Sequence, residues 1–162
     1  MRFLGIVPGA FVVIFALALS GSDLAQAAKP FDGQEIFRFD TFGDEQLWTD
    51  TLRLNEALEN VTPATALGVG LKIDSAALPP PVLRALAAGR LDVNDPNVTR
   101  RLLELNAVVG VQAKIAGDRI KSVGITCALC HSTVDSATGI GRRLDGWPNL
   151  DPRVGTIAAL SE

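Results

Sequence analysis

The sequence predicts one mainly α domain with a small β element, and three observations carry that expectation. Apolar residues recur at helical spacing after Asp44, an Asp95-Pro96 pair opens a second periodic stretch, and two alternating runs flank Ala116-Gly117-Asp118-Arg119 as the arms of a hairpin would. The length of 162 residues allows a single domain with a hydrophobic core of its own.

The N-terminus stands apart from that domain. Arg2 and the apolar run over residues 9–19 have the form of the basic and hydrophobic parts of an export signal, and Ala25-Gln26-Ala27 supplies a small-x-small cleavage site. The run is too short for a membrane span. Residues 1–27 are therefore expected to be removed, leaving 28–162 as one domain without a membrane span; an uncleaved, anchoring signal is the alternative.

Residues 29–43 read as an irregular arm carrying Phe31, Phe37, Phe39 and Phe42, whose rings serve as core anchors or pack on a cofactor face. After Asp44, Leu47, Thr51, Leu54 and Leu58 form a helical stripe with Trp48 and Leu52 beside it, and Thr41 to Asp44 gives a capping-box signal. Thr62-Pro63 closes that helix. Leu67, Val69, Leu71 and Ile73 then alternate with Gly68, Gly70 and Lys72, as in a half-buried strand. Three prolines, 79–81, lead into a short helix over 82–88 that Gly89 stops. Asp95 is the expected N-cap of the next helix, with Pro96 at its first position and Val98, Leu102 and Leu105 on one face. Val109, Val111, Ala113 and Ile115 begin the hairpin, and residues 120–125 return it to Cys127. Residues 132–141 are small and polar, a loop. The last eight residues begin an apolar helix with no closing cap, which reads as a gene product ending short of its natural terminus.

The chemistry is concentrated in Ile125-Thr126-Cys127-Ala128-Leu129-Cys130-His131, which holds both cysteines and the single histidine of the chain. Two thiols three positions apart and an adjoining imidazole make the c-type haem attachment pattern. Thiols about one helical turn apart can reach two vinyl groups of one porphyrin, and the imidazole next to them can bond the iron. Three other uses of these residues stay open. A zinc site would need Asp or Glu to complete four ligands. A dithiol redox centre usually follows a strand in a βαβ unit, which this sequence lacks. A structural disulfide would leave His131 without a role.

The segment ITCALCHSTVD resembles the haem-binding segment of c-type cytochromes, and Gly146-Trp147-Pro148-Asn149-Leu150 is similar to the Gly-Pro-Asn-Leu loop that follows it in small soluble members. The resemblance implies a cytochrome c-like haem domain with one covalent haem c, attached in bacteria outside the cytoplasm, hence a periplasmic location. It also implies that Pro148 offers its carbonyl to the proximal imidazole. FRFDTFGDEQLWTDTLRL and GIGRRLDGWPNLD resemble parts of larger periplasmic haem proteins. A haem carries two propionates, for which Arg142, Arg143 and the Trp147 indole N–H are candidate partners.

Function then turns on the sixth iron position. Electron-transfer haems usually hold Met or His there. Here Met1 is the single methionine and His131 is already used, leaving a lysine such as Lys114 or Lys121, a residue outside the chain, water or a partner. The first expectation is an electron carrier acting between redox partner proteins; the alternative is the haem domain of a larger peroxidase-like or oxygenase-like enzyme with an open iron face. A formal charge of −3, from 15 basic and 18 acidic residues with no basic stripe, gives no sign of nucleic acid or a lipid surface.

Overall fold

A computed structural model of the chain describes residues 31–161, so the expected export signal at 1–27 lies outside the described residues. Asp32 starts the first helix, α1 (Gly33–Phe39), by accepting hydrogen bonds from the amides of Gln34 at 3.0 Å and Glu35 at 3.1 Å. The irregular arm expected here is thus partly helical. The long helix expected after Asp44 is broken. Gln46–Thr51 winds as a π-helix, Arg53 takes a left-handed conformation (φ 51°), and α2 (Leu54–Leu58) restarts beyond it. Asp44 does not cap a helix through its side chain. One carboxylate oxygen receives the Trp48 indole N–H at 2.7 Å and the other receives the Ile125 amide at 3.0 Å, tying this segment to the strand that precedes the cysteines.

The alternation at 67–73 is also a correction. Thr62 caps α3 (Pro63–Gly68) through its hydroxyl, with proline at the first helical position, and strand β1 is confined to Ile73–Asp74. Residues 69–74 are buried throughout, Lys72 and Asp74 included, so this is a buried segment rather than a two-faced strand. Elsewhere the local signals hold. α4 is Pro80–Ala87, followed by Gly89 at φ +61°, and α5 is Pro96–Glu104, capped by the Asp95 carboxylate. The hairpin β2 (Val111–Ala116) and β3 (Arg119–Ile125) turns through Gly117 at φ +63°, with a register shift between Lys114 and Ile115.

After the hairpin come α6 (Ala128–His131), β4 (Ser132–Val134), β5 (Ile140–Gly141), β6 (Arg143–Asp145) and α7 (Val154–Ala158), the last running into a 3₁₀ turn at Ala159–Ser161. The expected loop at 132–141 therefore begins and ends in strand. β4 pairs antiparallel with β6, and β1 pairs in parallel with β5, joining segments far apart in sequence. Leu54, Leu58, Leu71, Leu102, Leu103, Val111, Ile120, Val123 and Ile157 fill the core between α2, α5, α7 and the hairpin.

These residues do not build the mainly α, cytochrome c-like domain that the sequence suggested. The fold is mixed α and β, with helices of nine residues at most and three two-stranded sheets among the described residues. The reason is physical: left-handed Arg53 and the Thr62-Pro63 start cut the helical stripe short, while the hairpin supplies Val111, Ile120 and Val123 to the core. Among the described residues no helix is long and apolar enough to cross a membrane.

Candidate functional site

The Cys127–His131 turn is set down on the protein by residues that carry no chemistry of their own. Ala128 and Leu129 are buried, the first against Val109, Val134 and Phe37 of α1, the second in the main core. Gly110 lies so close beneath that a Cβ there would fall 2.2 Å from the Leu129 Cα, and its φ of +78° is one that L side chains rarely adopt. Thr126, 1% exposed, receives the Ala128 amide on its hydroxyl at 3.3 Å and donates that hydroxyl to the Arg38 carbonyl at 3.2 Å. Within the turn the His131 amide donates to the Cys127 carbonyl at 3.1 Å.

The other side is held by the segment resembling the cytochrome loop. Gly146 donates its amide to the His131 carbonyl at 2.8 Å, Asn149 its amide to the Cys130 carbonyl at 2.9 Å, and the Asn149 side chain to the Leu129 carbonyl at 3.2 Å. Three consecutive carbonyls that a short helix would leave unpaired are thereby satisfied. Pro148 is exposed and lies between those anchors. The His131 imidazole has no hydrogen-bond partner among the described residues, so the bond to the Pro148 carbonyl implied by the resemblance is not formed; the loop is attached through amides 146 and 149 instead.

Cys127 is half-buried, Cys130 and His131 are exposed, and both thiols are free. Some large apolar side chains are exposed on the segments bonded to this stretch. Phe42, 66% exposed, donates its own amide to Ile125, and Trp147 and Leu150, 62% and 88% exposed, adjoin Gly146 and Asn149, whose amides bond the turn.

The two arginines part company. Arg142 is exposed and only loosely paired, its Nε 3.5 Å from Asp135. Arg143 is buried, its Nε 3.2 Å from Asp74 and its guanidinium 5.7 Å from the centre of the Phe39 ring. Burial lowers its pKa and the Asp74 charge opposes that shift. Its nearest carboxylate is Asp74, and its Nη1 is buried without a hydrogen-bond partner among the described residues. Two residues on, burial alone would raise the Asp145 carboxyl, but hydrogen bonds from Arg38, Ser132 and Gln34 together with the Arg38 charge outweigh it and hold the group below the usual carboxylate range. Lys114 and Lys121 are both exposed on the hairpin, and Lys114 lines a polar cleft of about 390 Å³ with Glu45, Gln112 and Ser122.

Among the described residues no three His, Cys, Asp or Glu side chains converge as a metal cage. A covalent haem asks for a different donor set, two free thiols one turn apart and an adjoining imidazole, and Cys127, Cys130 and His131 have that chemistry. The supporting residues Gly110, Thr126 and Asn149 were not picked out by the motif. Asn149 alone had a local signal, its place in the Gly-Trp-Pro-Asn-Leu stretch. Comparison with known proteins finds no matching family model, no matching curated protein and no matching solved structure.

Proposed function

We propose that the Cys127–His131 turn carries one haem c and that the exported protein passes electrons between redox partner proteins in the periplasm. The observation that supports this reading most is the presentation of the motif: two free thiols and an unpartnered imidazole on one anchored turn, with exposed Phe42, Trp147 and Leu150 close by in the backbone hydrogen-bond network. Each thiol adds its S–H across a vinyl C=C, so the thioethers form with no oxidant and no leaving group. Bound haem supplies one-electron exchange at iron. The rest belongs to the chain. Cys127 and Cys130 tether, His131 offers a ring nitrogen, Gly146 and Asn149 hold the turn in place, and Arg142, Arg143 and the Trp147 indole N–H are the candidates to meet a propionate.

The peroxidase-like or oxygenase-like alternative has one observation in its favour, a sequence with no second histidine and no methionine beyond Met1 to fill the sixth position. Carbon monoxide separates the two. A carrier whose sixth position is held by a protein group leaves the reduced spectrum unchanged on exposure to the gas, and an open iron shifts it rapidly.

The tethering itself is tested by producing the full chain in cells that mature c-type haems. A denaturing gel stained for haem peroxidase activity should light up at the mass of the processed chain plus one haem, and Cys127→Ser or Cys130→Ser should weaken or abolish that stain. A colourless product with the mass of the bare polypeptide would falsify the proposal.

A further inference from the structure

A second feature, lined by none of the Cys127–His131 residues, is independent of the haem reading. A polar cleft of about 260 Å³ is lined by Gly68, Gly70, Lys72, Gly139, Asp151 and Arg153, among others. Lys72 is 8% exposed, and its ammonium is paired with the Asp151 carboxylate. The two halves of that pair are unequal, with side-chain exposures of 10% for Lys72 and 63% for Asp151. A buried ammonium needs an oxyanion against it, whereas a carboxylate that is mostly wet gives up little when another anion takes its place. Arg153 at the rim is exposed and forms no ion pair among the described residues, so the cleft holds two cations against one carboxylate.

The walls are shaped to match. Gly70 (φ +92°) packs so closely on the Asp151–Pro152 backbone that a Cβ there would collide with it, Gly139 (φ +79°) lies against the Leu67 and Lys72 side chains, and a Cβ added at Gly68 would meet nothing within 4 Å, leaving that side of the cleft open. We infer that this cleft binds a small oxyanion, a phosphate or a short carboxylate, with Lys72 as the buried donor, Arg153 as the fork at the mouth and Asp151 displaced toward solvent.

The full chain is titrated with inorganic phosphate and, separately, with succinate at constant ionic strength, following the amide resonances of Gly68, Gly70 and Gly139. Saturable shifts with phosphate alone identify a phosphate-type ligand, with succinate alone a carboxylate, and with both a general oxyanion site; each supports the inference. Arg153→Gln, an exposed change that leaves the fold intact, should weaken binding by about five-fold or more. Asp151→Asn, which removes the internal competitor, should tighten it. No saturable shift with either anion, an Arg153→Gln variant that binds as well as wild type, or an Asp151→Asn variant that binds more weakly overturns it.

Discussion

The two faces of the Cys127–His131 turn are built on opposite plans. The inner face, Ala128 and Leu129, is buried against Val109, Val134 and the core, and the Leu129 carbonyl is taken by the Asn149 side chain. The outer face, Cys130 and His131 with half-buried Cys127, makes no side-chain bond among the described residues. The contrast teaches that position and chemistry are carried by different residues here. The inner face should govern stability, and the outer face should govern the proposed haem attachment with little effect on stability.

The harshest way to break this division is Gly110→Val. A side chain there meets the Leu129 backbone, which cannot withdraw without moving the cysteines, and it must also adopt a positive φ. We expect a loss of more than about 3 kcal/mol in urea denaturation; a loss below about 1 kcal/mol would show that the turn is not seated on Gly110.

Asp145→Asn comes next. Asp145 receives Arg38, Ser132 and Gln34, joining α1 to β6, and replacing it should cost about 1–3 kcal/mol at neutral pH. The sign follows from its depressed pKa: the carboxylate contributes stability above its unfolded value and loses it as pH falls through the folded value. Wild type and variant should therefore differ at pH 7 and begin to converge only as pH falls below about 4, the unfolded carboxylate value. Parallel curves throughout would remove the carboxylate from the account.

Asn149→Ala sharpens the comparison from the other side of the turn. It deletes the bond to the Leu129 carbonyl but keeps the amide bond to Cys130, so a loss of about 1 kcal/mol is expected, with faster hydrogen exchange in α6. Cys130→Ser and Trp147→Ala are the smallest cases, each expected within about 0.5 kcal/mol of wild type for the haem-free protein. A marked thermal destabilisation by either would mean that the outer face is structural after all.

How much of this was legible depended on the distance over which each signal acts. Asp95-Pro96 and the Gly117 turn are local chemistry, so α5 and the hairpin could be read directly from the sequence. The Asp32-x-x-Glu35 cap was equally local but was obscured by the phenylalanines around it. Left-handed Arg53 was not legible, because nothing about an arginine announces a positive φ. Lys72 looked like the wet side of a strand because its partner Asp151 is 79 residues away. Of the site, the three reactive residues were visible at once. Their foundation was not, since Gly110, Arg38 and Asn149 reach the turn only through the tertiary fold.

The clasp formed by Gly146 and Asn149 also has a consequence in time. Its residues follow the cysteines in the chain, so a polypeptide in which the clasp has not yet closed holds the turn on one flank only. A group that must reach both sulfurs would have its widest approach before that closure.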